Sequence, residues 1–216
     1  MNYEILLQSP LFQRYSLSEL KALLQKISYY TKNYSKGEVL LHTGELVSSL
    51  GLVLSGKVQV ESIDVLGNKS ILGFSGPGDI FAEAYACLPN QPLGVDVVCI
   101  EDSEILYIPV HKLFSSTDAT QLVYNLLRMT AQKNVNLSRR IFHTSSKTIR
   151  GRLLSYFSEQ VAVQKRKDIT IPLDRQQLAD YLGVERTALS KELGKMKKEG
   201  LIDFHKNQFV IYGSNI

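Results

Sequence analysis

Four polar side chains near the carboxyl end carry the sharpest chemistry in this sequence. Arg186, Thr187, Ser190 and Lys191 stand at i, i+1, i+4 and i+5 in a run predicted to be helical from about Glu185 to Lys198. At 3.6 residues per turn this spacing puts all four on one side, with Leu189, Leu193 and Met196 on the other. A helix about 10–12 Å across fits a major groove about 12 Å wide, and donors in its first turns reach base edges there. Arg186 suits a bidentate guanine contact. Thr187 suits a base edge or a thymine methyl, and Ser190 and Lys191 suit base edges or backbone phosphates. Lys206, at the Lys206-Asn207 tip of a predicted hairpin, is placed for a phosphate, and Lys195, Lys197 and Lys198 read as a solvated basic face. These residues predict binding to double-stranded DNA.

Other chemistries find little support. Cys87 and Cys99 form no C-x-x-C pair, and His42, His111, His143 and His205 are scattered, so no zinc, iron–sulfur or haem ligand set is recognised. The thiols read as reduced and partly buried. No nucleophile–base pair or carboxylate dyad suggests catalysis, and a cupin-like barrel enzyme would need a histidine cluster on the strands, where His42 stands alone. The chain is not expected to be an enzyme. No uncharged stretch reaches the ~18 apolar residues of a membrane span, and Glu4, Gln8, Pro10, Gln13 and Glu19 interrupt any signal-peptide core. The expectation is a cytoplasmic protein with no membrane partner. The charge is uneven: residues 1–144 carry 12 Lys/Arg against 13 Asp/Glu, a net −1, whereas residues 145–216 carry 13 against 8, a net +5. Only the rear of the chain is dressed to meet a polyanion.

The surrounding elements must hold that helix in place. Asp174 and Gln177 make a capping-box start for a preceding helix, Leu178, Ala179 and Leu182 give it an inner face, and Gly183 supplies the turn. The reading helix stops at Gly200, and Gly194 inside it is read as permitting close packing. A hairpin, the wing, follows over residues 203–212. At the other end, Ser16-Leu17-Ser18-Glu19 is a second capping box, followed by Leu20, Leu23, Leu24 and Ile27 at helical spacing. From Lys36 to about His111 come short apolar runs separated by glycine turns, among them Leu50–Leu54 and Val95–Ile100, which predict a barrel or sandwich. From about Asp118 to His143 there is no Gly or Pro. There Leu122, Leu126, Met129, Lys133 and Leu137 form a heptad-like seam, with Val123, Leu127, Thr130 and Asn134 as a second stripe. One stripe packs on the barrel, and the other suggests the same helix of a twin subunit; the seam is read as the dimerisation face, although a single broad core helix would give the same pattern.

The run L-A-D-Y-L-G-V-E-R-T-A-L-S-K-E-L-G-K-M-K-K-E-G-L-I (residues 178–202) resembles the recognition motif of the cyclic-AMP receptor protein / fumarate-nitrate regulator (Crp/Fnr) family of bacterial transcription factors. K-G-E-V-L near residue 36, V-L-S-G-K-V at 53–58 and G-P-G-D-I-F-A-E at 76–83 follow that family's β-roll in order and spacing, so the resemblance covers nearly the whole chain. It implies an α+β protein: a cyclic-nucleotide-binding-like double-stranded β-helix (jelly roll) over residues 1–117, a long dimerisation helix and hinge over 118–144, and a winged helix-turn-helix over 145–216. It also implies a homodimer, RNA polymerase as a protein partner and a small-molecule effector held between roll and helix. The pocket positions would be Phe81, Ala82, Glu83, Ala84, Leu93, Gly94 and Val95 on the roll, with Leu137 and Ser138 on the helix. The match to the cyclic-AMP cassette breaks down, however. The family's G-E-L reads Ala82-Glu83-Ala84, and its R-S pair falls on Leu93-Gly94. A cyclic phosphate buried there would lack a charge-assisted partner, so cyclic AMP is not the expected effector. Phe81, Ala84, Leu93, Val95 and Leu137 could line a pocket for an uncharged or weakly polar ligand, or fill the roll. The competing reading is a cyclic-nucleotide-sensing module that acts on a protein partner without DNA; it leaves the basic helix-turn-helix unexplained.

Overall fold

Two strands, β3 (Ser49–Ser55) and β8 (Ser103–Pro109), organise the front of the molecule because both of their faces are buried. Leu50, Leu52 and Leu54, with Leu106 and Ile108, point into one core; the alternate residues Val53, Ile105 and Tyr107 point into another. This explains the unbroken apolar run at 50–54: a strand covered on both sides has no polar face to alternate. The computed structural model describes residues 2–64, 66–115 and 117–212.

In chain order, α1 (Tyr3–Gln8) and α2 (Leu17–Lys26) precede β1 (Tyr30–Tyr34), β2 (Val39–Leu41), β3, β4 (Val58–Ile63), β5 (Lys69–Ser75), β6 (Ile80–Phe81), α3 (Glu83–Ala86), β7 (Asp96–Cys99), β8 and α4 (Val110–Phe114). The strands form two antiparallel four-stranded sheets, β1-β8-β3-β6 and β2-β7-β4-β5. The interior between them holds Tyr34, Val58, Phe81, Val97, Cys99 and Tyr107. Tyr34 and Tyr107 satisfy each other's hydroxyls at 2.8 Å. Gly51 is there for space: a Cβ on it would fall 2.2 Å from Cζ of Phe81. On β4 the alternation of apolar and polar residues breaks at Glu61, which is buried with Lys69 on its carboxylate at 2.6 Å.

The helical layer lies on the outer face of the first sheet. The capping box at Ser16–Glu19 is present, with the Ser16 amide donating to Glu19 at 2.8 Å. α5 (Thr120–Thr144) begins in this layer and runs for 25 residues, about 37 Å at 1.5 Å per residue. Leu122 (0% exposed) and Leu126 (3%) enter the core with Leu6, Leu11 and Phe12, and Met129 packs against it. Asn125 pins the helix through its amide, which donates to the carbonyls of Leu11 and Gln13 at 2.9 and 2.8 Å. The seam expected to meet a twin subunit is therefore, at Leu122 and Leu126, the face already spent on the protomer's own core. The apolar side chains left outside are Tyr124, Leu127, Val135, Leu137, Ile141 and Phe142.

The chain divides into two compact units, residues 1–132 and 133–216, and the division falls inside α5. In the second unit the end of α5 is followed by α6 (Ile149–Gln164), β9 (Asp168–Thr170), α7 (Arg175–Leu182), α8 (Arg186–Lys198), β10 (Ile202–His205) and β11 (Gln208–Ile211). Leu153, Phe157, Leu178, Ala179, Leu182, Leu189, Leu193, Met196 and Phe209 share its core. The hairpin gains β9 as a third strand, in the order β10-β11-β9.

Candidate nucleic-acid interface

α7 and α8 meet through the turn that the sequence predicts. The Asp174 side chain accepts from the Gln177 amide at 2.8 Å and the Gln177 side chain accepts from the Asp174 amide at 2.9 Å, closing the box. Gly183 ends α7 in the left-handed region (φ 63°), where a side chain would be strained. Two arginines from outside the pair donate to the carbonyls of this helix end. Arg152 of α6 donates to Leu182 and Gly183 at 2.8 and 3.0 Å, and Arg140 of α5 donates to Tyr181 and Asp180, both at 3.1 Å. A third arginine, Arg150, braces α6 to α8 through Glu192 at 2.6 Å and a bidentate pair with Glu199. That pairing holds the Glu199 carboxyl below its ordinary pKa and raises that of Arg150.

Held this way, α8 buries Leu189, Leu193 and Met196 and leaves Arg186, Thr187, Ser190 and Lys191 exposed together. Its N-cap residue, Glu185, makes no side-chain capping bond, in contrast to α7; instead its carboxylate accepts from the Thr187 hydroxyl at 2.6 Å. The N-cap side chain therefore leaves the first-turn N–H groups of α8 without a cap, a disposition suited to a phosphate oxygen. Lys206 is exposed at the wing tip with φ 53°. Lys197 stays exposed while pairing with Asp203, and its ammonium lies 5.4 Å from the Phe204 ring centroid. Gly194 departs from expectation, since a Cβ there would meet nothing within 4 Å, so no close packing requires it. Sequence reasoning passed over Glu185 and Arg175. The acidic N-cap was visible beside Thr187, but the surroundings of Arg175 depend on residues some thirty positions away.

Comparison with known proteins agrees with this geometry. A cyclic nucleotide-binding domain model matches residues 31–117, and a Crp-like helix-turn-helix domain model matches residues 151–212. The chain belongs to the Crp/Fnr family of transcription regulators. Such a member is a DNA-binding regulator and not an enzyme. The cAMP-activated global transcriptional regulator CRP of Haemophilus influenzae is 24% identical over 188 residues, covering 84% of this chain and 83% of that one. Among solved structures, OCPA-complexed CprK gives a TM-score of 0.63 at 19% identity, covering 91% and 90% of the two chains. The c-di-GMP-responsive regulator CLP of Xanthomonas campestris gives 0.54 at 17% identity, covering 92% and 100%. These three relatives are named with three different small molecules, so membership in the fold does not name an effector.

The positions expected to line an effector pocket are unequal. Phe81 (3% exposed) and Leu93 (2%) are packed side chains, with Phe81 set against Gly51 in the roll interior. Glu83 is also buried, Ala82 and Val95 are half-buried, and Ala84 and Gly94 are exposed. Ala82 adopts the left-handed region (φ 58°, ψ 7°), so alanine holds a glycine conformation in the slot where the family pattern has Gly. Leu93 fills the arginine slot, and at the serine slot beside it the Gly94 amide donates to the Tyr85 hydroxyl at 3.4 Å. Leu137 and Ser138 are exposed and belong to the second unit. Burial raises the pKa of both thiols, Cys87 and Cys99, which suits unreactive cysteines. Among the described residues no group of three or more His, Cys, Asp or Glu is placed to hold a metal ion, and no helix is long and apolar enough to cross a membrane.

Proposed function

We propose that this regulator binds DNA as a homodimer and reads its operator with α8. Arg186 takes the guanine contact, Thr187 a base edge or thymine methyl, Ser190 and Lys191 base edges or phosphates, and Lys206 of the wing a phosphate. The observation that carries this reading is the joint exposure of those four α8 side chains beside an uncapped helix start, in a domain where Arg140, Arg150 and Arg152 are engaged in holding the helix pair. The outward side of α5 supports the dimer: Tyr124, Leu127, Ala131, Val135, Ser138, Ile141 and Phe142 recur at three- and four-residue steps, all exposed. Two reading helices related by a twofold axis call for half-sites about 34–36 Å apart.

Selection of bound sequences from random duplexes tests this. The expected product is a near-palindrome with half-sites one helical turn apart. Arg186→Ala should lose about 1–3 kcal/mol of binding and relax preference at one base pair per half-site. An Arg186→Ala protein with wild-type affinity and wild-type preference would remove α8 from the groove.

The effector we infer is something other than cyclic AMP, and regulation does not run through a bound cyclic phosphate. Leu93 and Gly94 bring no cation to the phosphate slot, and Phe81, Tyr34 and Tyr107 occupy the interior of the roll.

A further inference from the structure

The guanidinium of Arg175 lies 5.0 Å from the Phe204 ring centroid and 5.5 Å from that of Phe209. Those two residues face each other across the wing, one from β10 and one from β11, with centroids 5.7 Å apart. The same guanidinium donates to the carbonyl of Lys206 at 3.3 Å. Arg175 is the first residue of α7, so one side chain joins the start of the helix-turn-helix to both strands of the wing and to its tip residue.

The position is costly for a cation. Positive charge in the first turn of a helix opposes the macrodipole. Burial, and then the charge of Arg186, lower the Arg175 pKa, and no carboxylate pairs with it among the described residues. What Arg175 gains is the two ring faces and one carbonyl. That carbonyl belongs to a lysine held at φ 53°, a conformation a residue with a side chain enters only under constraint. The remaining ties at the tip run elsewhere: the Asn207 carbonyl accepts from Ile171 N and the Asn207 side chain donates to Ile171 O, both at 3.0 Å.

We infer that Arg175 is a positioning residue for DNA binding: it pins the wing to the helix-turn-helix, so that Lys206 and Arg186 engage one duplex in a fixed register. This rests on the DNA reading proposed above and adds to it a residue that acts through another. A planar guanidinium can lie on two rings and still donate in its own plane; a lysine ammonium carries the same charge but cannot reproduce that contact. Arg175→Lys therefore separates positioning from charge.

The experiment is a double-mutant cycle between Arg175→Lys and Lys206→Ala on the full chain, using the selected duplex and reading affinity against salt. In the wild-type background Lys206→Ala should reduce the slope of log K against log salt by about 1, the loss of one phosphate contact. In the Arg175→Lys background the same change should shift the slope by much less than that, because the wing lysine is already out of register. Hydrogen exchange on the free protein is the companion measurement, with faster exchange at the Asn207 and Gln208 amides in Arg175→Lys as the expected result. Additive effects in the cycle, or wild-type exchange at the wing in Arg175→Lys, would overturn the pin. Failure of the wild-type protein to retain any duplex would count against the DNA reading instead, and the exchange measurement would still decide the pin.

Discussion

At the scale of single residues, the chain spends conformational freedom unevenly. Gly194 sits in the interior of α8, where glycine costs about 1 kcal/mol relative to alanine, yet no neighbour would meet an added methyl. Gly194→Ala should therefore raise the free energy of unfolding by roughly 0.5–1 kcal/mol, read as a higher urea midpoint at unchanged slope. An unchanged or lower midpoint would mean that an undetected contact or a backbone constraint governs the site. Local chemistry of this kind was the most legible part of the sequence. The boxes at Ser16–Glu19 and Asp174–Gln177 involve partners three residues apart, and both form. The stop at Gly183 and the apolar side of α8 were equally local. The Gly194 expectation failed because crowding around a helix depends on which neighbours the fold brings there. Arg175 and its two rings were out of reach for the same reason.

At the scale of elements, α5 shows what periodicity can and cannot decide. Two apolar stripes on one helix fit two partners or one broad core face, and nothing in their spacing says which stripe meets the roll. Leu122 and Leu126 join the protomer's own core, and under the proposed homodimer the partner would meet the exposed side that carries Leu127. Leu122→Ala should cost about 2–5 kcal/mol of stability by leaving a cavity. Leu127→Asp should shift sedimentation toward monomer and weaken DNA binding while the protomer keeps its helical content in circular dichroism, because the side chain is exposed on the protomer. A Leu127→Asp protein that sediments as a dimer would place the interface elsewhere. The far end of the same helix carries His143, buried among aromatic rings. Its Nδ1 meets the Tyr181 hydroxyl and its Nε2 meets Glu159, both at 2.9 Å. Arg139 also pairs with Glu159, Arg140 lies over the Tyr181 ring, and Tyr156 meets the imidazole edge-on. A neutral ring satisfies both partners by accepting at Nδ1 and donating at Nε2. Desolvation lowers the His143 pKa below 6.5, outweighing the attraction of Glu159, and Arg139 lowers it further. The sign follows: as pH falls through 6.5 the unfolded chain takes up the proton first, so the folded state loses stability from there down to the folded pKa, while above 6.5 the contribution is flat. Comparing wild type with His143→Gln at pH 7.5 and 5.5 should show the larger acid loss in wild type. Equal losses would mean that His143 does not titrate against folding.

At the scale of the whole molecule, the two ends of the chain differ in the anions they can accept. The rear carries the net positive charge and presents it on α8 and the wing. The front is near neutral, and where its family pattern holds an Arg-Ser pair for a cyclic phosphate it has the buried Leu93 and Gly94, whose amide donates to the Tyr85 hydroxyl. A phosphate entering that slot would give up its hydration without a cationic partner, a loss of several kcal/mol. Ligand binding raises stability by RT ln(1 + [L]/Kd), about 2.7 kcal/mol at a hundredfold excess over Kd, which moves the melting temperature of a chain this size by several degrees. Millimolar cyclic AMP should therefore leave the melting temperature of this protein where it is. The selected duplex should raise it, with the increase shrinking as salt is added. A rise of several degrees with cyclic AMP alone would show that the roll can accept the phosphate without arginine. Tyr85→Phe would then identify the route, because loss of that rise would place the phosphate on the Tyr85 hydroxyl, where Gly94 now donates.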